Sequence, residues 1–404
     1  MLKKTIIASL LLIVVLSACQ PGNALGPKTN ASGSDQDASP LASSTPFQPV
    51  TPAATNTPIP TSTPIPTPTA TPIQVGPDNF SETTNPLTGL QVEDPALLQR
   101  RPVMVKIANF PREGRPHAGL SSADIVFDYY IGEGTNRFMA LYYGQDASKI
   151  GPMRSGRLVD AQLVRMYQGI LGFVSADPLK VFPVLNRNLG MRAISQTGDS
   201  CPAICDDGPH TVLSVFADSA ALTQYALQKR AIETVRQPLD GMYFYSLPPA
   251  EGATGQQVTL KYNAFNFSQW RYDPESGQYL AWIESADVNN NITTVELTDR
   301  NTARQLTRDN IIILFAPYNE LAPTLHEIAI WNNPQGKRAV LFRDGKMIEA
   351  LWKSPGTDQP VQFVTTDGNP LPLKPGQTWI MIAGENSLLQ EKEPGQYELQ
   401  FRLP

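Results

Sequence analysis

Ile125-Val126-Phe127-Asp128-Tyr129-Tyr130-Ile131, then Gly132-Glu133-Gly134-Thr135-Asn136, then Arg137-Phe138-Met139-Ala140-Leu141-Tyr142-Tyr143: two β-branched and aromatic runs flank a glycine-bounded turn. That pattern predicts a β-hairpin. Upstream, Arg101-Pro102-Val103-Met104-Val105-Lys106-Ile107 alternates as a further strand, and a polar loop from Asn109 to His117 follows it. Downstream, Gly151-Pro152-Met153-Arg154-Ser155-Gly156-Arg157 reads as a loop leading into a helix at 158–171. Asp218 is a good N-cap for a second helix at 219–236. Strands and helices occur without a regular βαβ alternation, so the expected class is α+β, not a doubly wound sheet.

Further along, the signals become those of strands alone. Val258 to Tyr262 alternates, and Trp270-Arg271-Tyr272 and Tyr279 to Trp282 enclose the turn Asp273-Pro274-Glu275-Ser276-Gly277. Ile311 to Phe315 has the composition of a buried strand. Arg338 to Phe342 and Lys346 to Ala350 surround Asp344-Gly345, a strong short hairpin signal, and Thr378 to Ile382 closes the set. Trp270, Tyr272, Trp282, Trp352 and Trp379 fit either a ligand platform or the packing of a small β core.

The N-terminal end is of another kind. Lys3 and Lys4 precede an apolar run, Thr5 to Leu16, and then Leu16-Ser17-Ala18-Cys19. A basic start, an apolar core and small residues before the cleavage point predict a signal peptide over 1–18. The tetrapeptide has the form of a bacterial lipobox, so Cys19 is expected to carry diacylglyceryl and further acyl (palmitate-type) chains as a stable anchor. Residues 40–77 contain no Lys, Arg, Asp or Glu and repeat Thr-Pro and Ile-Pro. Proline excludes helix and central strand there. A disordered Pro/Thr-rich linker over 19–79 is expected, its 40–77 stretch reaching on the order of 120 Å as polyproline II. The remainder divides into 80–245 and 246–404. These segments place the protein on the extracytoplasmic face of the cell membrane.

Composition narrows the function. The 404 residues carry 32 basic and 37 acidic side chains, a net charge of −5. That argues against a general nucleic-acid partner. Three cysteines and three histidines leave little material for a metal centre, and no cofactor is expected. Cys201-Pro202-Ala203-Ile204-Cys205 reads as a structural disulfide outside the membrane.

The strongest constellation is Arg137, Arg154 and Arg157 with Glu133 and His210. Arginine forks match phosphate or carboxylate, and a helix start favours an anion. Alternatively, Arg154 and Arg157 bridge Glu133, Asp160 or Asp177 and stiffen the loop. Ser155 is open to two readings, an N-cap or a nucleophile with His210 as its base. Asp124, Asp128 and Glu133 are the acidic residues from which a hydrolytic pair would be drawn.

The chain also resembles the YerB-like lipoproteins. The resemblance rests on Asn85-Pro86-Leu87-Thr88-Gly89, Arg101-Pro102-Val103, Arg115-Pro116 with Gly119-Leu120, and Ala123-Asp124-Ile125-Val126. It continues through Glu133-Gly134-Thr135, Arg137-Phe138, Ile150-Gly151-Pro152 with Arg154-Ser155 and Arg157, and Pro209-His210. In the C-terminal region it includes Val340-Leu341-Phe342, Asp344-Gly345-Lys346, Trp352-Lys353, and Pro375-Gly376-Gln377-Thr378-Trp379-Ile380. Two departures stand out: Thr211 follows Pro209-His210 where the family commonly has asparagine, and Gly172-Phe173-Val174-Ser175-Ala176 replaces a histidine-bearing stretch. The resemblance implies a two-domain lipoprotein, with a layered α/β first domain and a smaller β-rich second one, and implies no reaction. The function expected is a non-enzymatic envelope lipoprotein binding an anionic ligand. The alternatives are a scaffold recruiting another envelope protein and a wall- or glycan-directed hydrolase.

Overall fold

A computed structural model describes residues 71–209 and 211–404. The signal segment, Cys19, most of the linker and His210 lie outside the described residues. Residues 68–404 close on themselves as one compact unit.

In chain order the main elements begin with strands β1 (Val103–Ala108), β2 (Ile125–Gly132) and β3 (Thr135–Tyr142), and helix α1 (Leu158–Met166). Strand β4 (Ile170–Phe173), helix α2 (Phe182–Leu189), strand β5 (Ala193–Ser195) and helix α3 (Ser219–Arg230) follow. Then come β6 (Gln257–Asn263), β7 (Asn266–Asp273), β8 (Gln278–Ala286) and β9 (Ile292–Glu296). The last are β10 (Asn310–Ala316), β11 (Asn333–Arg343), β12 (Lys346–Ser354), β13 (Thr378–Gly384), β14 (Leu388–Glu393) and β15 (Gln396–Gln400).

One 11-stranded sheet runs β12-β11-β10-β13-β2-β3-β1-β4-β5, with short strands 253–254 and 362–365 both paired to β12. Its centre joins the two halves of the chain, because β13 pairs in parallel with both β10 and β2. The sequence of β13 explains its place. All seven residues are buried, so neither of its faces meets water, and only a central strand satisfies that. A second, seven-stranded sheet runs β9-β8-β7-β6-β15-β14, with 307–308 paired to β8.

The period-2 alternation of the strands sorts side chains onto two cores. Ile125, Phe127 and Tyr129 of β2 and Ile380 and Ile382 of β13 face one core, where Leu163 and Val164 of α1 and Leu185 of α2 cover them. Val126 and Trp379 face the other, against Val258, Leu260 and Trp270 of the second sheet and Leu222 of α3. The molecule is therefore mainly β overall with few helices, and the layered α/β first half expected from sequence is corrected on that count. Trp270, Trp352 and Trp379 are all fully buried core residues, not a platform.

Two helices end earlier than their patterns suggest. The one expected over 158–171 stops at Met166, because Gln168 takes a positive φ of 52° and the chain reverses into β4. Gly169 suits the tight approach there, since a Cβ would lie 3.0 Å from the Pro102 carbonyl oxygen. The one expected over 219–236 stops at Arg230, with Ala231 in the left-handed region. Helix α2 was not anticipated; Leu185 and Leu189, four apart, are its buried pair.

Candidate functional site

Three neighbouring strands deliver the polar side chains. Lys106 on β1, Tyr129 on β2 and Arg137 on β3 lie on the helix-covered side of the sheet, and Tyr129 stands opposite Arg137 in register. Asp160, in the first turn of α1, comes down onto them. The Lys106 ammonium, fully buried, lies 3.2 Å from Asp160 Oδ1. The Tyr129 hydroxyl makes close contacts with both Lys106 and Asp160. The loop before α1 adds two more cations. Arg154 is tied to β1 through its backbone N–H, which donates to the Lys106 carbonyl at 2.9 Å. Arg157 is the helix N-cap position, and its N–H donates to Asp160 Oδ2 at 2.7 Å.

The guanidiniums have few partners. Arg137, 8 % exposed, donates from Nη1 to the Ser155 carbonyl at 2.5 Å. Arg157 donates from Nη1 to the Gly156 carbonyl at 3.0 Å. The buried Nε atoms of Arg154 and Arg157 have no acceptor. Among the described residues the cluster's one ion pair is Lys106–Asp160. Among the described residues the alternative bridges from Arg154 or Arg157 to Glu133, Asp160 or Asp177 are not formed as side-chain ion pairs; Asp160 accepts from the backbone N–H of Arg157.

Four cations share Asp160, with Asp177 acting on Arg157 from farther off, and an excess of positive charge remains. Burial first, then Asp160 and the flanking Arg137 and Arg157, sets the Lys106 ammonium, whose net pKa falls to about 7. Burial, then repulsion from Arg157 and Arg154, pushes Arg137 down to about 9. Burial also pushes Arg154 and Arg157 down from their ordinary value. Each of these effects is relieved by an anion.

The remaining sequence candidates are placed as follows. Ser155 lines a cavity of about 370 Å³ with Arg154, Ser175 and Gln196, and its hydroxyl lies 3.0 Å from that of Ser175. Ser155 is not the N-cap of α1; Arg157 holds that position. Glu133 is exposed at the β2–β3 turn with a φ of 50°, so closeness in sequence does not bring it to the arginines. His210 lies outside the described residues. Cys201 and Cys205 form a disulfide with their Cα atoms 4.7 Å apart.

The acidic residues serve the fold. Asp124 accepts from Asn85 Nδ2 and from the N–H groups of Tyr143 and Gly144, and burial raises it to about 6. It borders a cleft of about 750 Å³ with Asp309, which accepts from Gln377 N and Gln278 Nε2. Asp128 is buried toward the second sheet, where Asn136 and Tyr262 donate to it, and burial raises it to about 7. Among the described residues no group of three or more His, Cys, Asp or Glu could hold a metal, and no helix is long and apolar enough to cross a membrane.

Lys106 and Tyr129 were missed at the level of sequence, and Asp160 was weighed there only as a bridge for Arg154 and Arg157. One signal pointed to Lys106: it sits in a strand whose neighbours on both faces are apolar, so its charge has no route to water.

Residues 87–230 match the family described as "Protein of unknown function (DUF3048) N-terminal domain", and residues 258–380 match its C-terminal domain. The chain is 28% identical over 319 residues to "Putative lipoprotein YerB" of Bacillus subtilis (strain 168), covering 76% of this chain and 88% of that protein. It is similar to the crystal structure of YerB with a TM-score of 0.57 at 26% identity, covering 74% of this chain and 96% of the other.

Proposed function

The chain belongs to the YerB-like family that pairs the two DUF3048 domains, and on that premise we propose an extracytoplasmic lipoprotein, anchored through Cys19, that binds an anionic ligand without transforming it. The ligand is a phosphate- or carboxylate-bearing envelope component, held by Arg137, Arg154 and Arg157 with the Lys106–Asp160 pair behind them. One observation carries the reading: three adjacent guanidiniums, Arg137 buried and Arg154 and Arg157 half-buried, keep unused donors and have no carboxylate within ion-pair distance among the described residues. A protein that gained only rigidity from these arginines would pair them, since an unpaired buried cation is costly. For the same reason the scaffold reading is less well supported.

Isothermal titration with inorganic phosphate at low ionic strength tests the proposal. Each charged hydrogen bond is worth about 1.5–3 kcal/mol, so Arg154→Ala and Arg157→Ala should each weaken binding roughly tenfold or more. Unaltered affinity in both variants, or no heat with the parent protein at millimolar phosphate, would refute it.

A further inference from the structure

Beside the arginine cluster runs a groove of about 510 Å³ whose walls include Leu158, Ala161, Val184, Leu321, Leu325 and Trp331. It is built by three elements: α1, α2 and the hairpin made by Tyr318–Ala322 and Leu325–Ile328. Gln162 fixes the floor, accepting from Ile330 N at 3.0 Å and from Trp331 Nε1 at 3.4 Å. The groove is preformed and largely apolar; Lys180 and Glu327, which also line it, balance each other in charge. Of its lining residues, Leu321 on the hairpin is 52 % exposed.

One covalent step and one through-space neighbour relate this groove to the cations. Leu158, in its wall, is the residue after Arg157. Leu325, in the opposite wall, precedes His326, which is buried against Tyr130 and within electrostatic reach of Arg157. A cluster with an excess of positive charge thus adjoins a largely apolar channel whose two charged lining residues offset each other. Charge complementarity selects one occupant for the pair: a molecule with an anionic head and an aliphatic tail.

We infer that the ligand is a lipid phosphate, its head group held by Arg137, Arg154 and Arg157 and its chain laid in the groove between α1, α2 and the 318–328 hairpin. The inference rests on the anion-binding reading above and names the class of molecule bound. It assigns a separate role to each part of the site: the arginines supply head-group recognition, and Leu158, Val184, Leu321 and Leu325 supply the dependence on chain length.

Residues 68–404, which form a compact unit, are titrated with inorganic phosphate, butyl phosphate and decyl phosphate below its micelle concentration, with decanol as the uncharged control. Each fully buried methylene contributes about fourfold in affinity. Decyl phosphate should therefore bind roughly 100-fold or more tightly than inorganic phosphate, even with one side of the chain in water, and butyl phosphate should fall between them. Leu321→Glu, at an exposed position, and Val184→Ser should each remove most of the chain-length gain and leave inorganic phosphate affinity unchanged. Arg154→Ala should weaken all three phosphates alike. If phosphate binds through Arg154 but the three phosphates agree within about threefold, the lipid assignment is wrong and the anion site stands. If none of the three binds, both readings fall. Decanol binding as tightly as decyl phosphate would overturn the link between groove and arginines. Self-association abolished by Leu321→Glu, with no chain-length dependence, would assign the groove to a second copy instead.

Discussion

Arg343, fully buried, and Arg154, half-buried with its Nε closed off from water, are treated in opposite ways. Arg343, at the end of β11, donates from Nε and Nη2 to the Asp344 carboxylate and from its Nη atoms to the carbonyls of Tyr245, Pro372 and Leu247. All of its donor capacity is used, and it ties the 243–247 segment and the 372–373 strand to the large sheet. Arg154, in the loop before α1, has no side-chain hydrogen bond among the described residues, and its Nε is buried without an acceptor. Arg137 and Arg157 each make one side-chain bond, to a carbonyl. A single idle donor does not mark a site, since Arg308, fully buried and bonded elsewhere, also has an Nε without an acceptor. What separates the cluster is three adjacent guanidiniums that each make at most one side-chain bond, an arrangement that costs stability and is completed by something outside the chain.

The largest test of that contrast is Arg343→Ala. Removing Arg343 leaves three carbonyls unanswered and the Asp344 carboxylate with Lys374 alone, at 3.1 Å, so urea unfolding should show a loss of about 3–5 kcal/mol. A loss below about 1 kcal/mol would erase the distinction between clamp and receptor.

A smaller effect is expected with pH. Lys106 has a pKa of about 7 in the folded chain against an ordinary 10.5. It is cationic below pH 7 and neutral above, whereas sulfate keeps its charge throughout. Sulfate affinity should therefore fall severalfold as pH rises from 6 to 8, with a proton taken up on binding near pH 7. Affinity that is flat or rising over that interval would remove Lys106 from the site. The smallest effect belongs to Arg154→Ala without ligand. The same urea measurement should place its stability within about 1 kcal/mol of the parent, or above it, since a repulsive charge is removed. A loss matching that of Arg343→Ala would make both residues structural.

How much of this was legible in the sequence follows the range of each interaction. The β2–β3 hairpin and the Asp344-Gly345 turn are written locally, in alternation and in residues that tolerate positive φ, as Asp344 (48°) and Gly345 (69°) do. The pairing of β13 with β2 has no local signature, since some 250 residues intervene and either half supplies apolar strands. The helix at 158 was read too long because its apolar run continues into β4; the break at Gln168-Gly169 answers to crowding against Pro102. At the site, Arg137, Arg154 and Arg157 were legible from residue type and loop context. Glu133 was misplaced because turn residues at the tip of a hairpin project away from the sheet they connect. Asp160 passed unnoticed as a partner for Lys106, because 54 residues separate them and only the fold of α1 onto the sheet brings them together.

The central claim is that the arginines before and beneath α1 await an anion. Its most direct test is the electron density of crystals of residues 68–404 soaked in phosphate. The account predicts a phosphate within hydrogen-bonding distance of the Arg154 and Arg157 guanidiniums, with the Lys106–Asp160 pair intact behind it. Phosphate bound only elsewhere, with those guanidiniums still lacking acceptors, would contradict it.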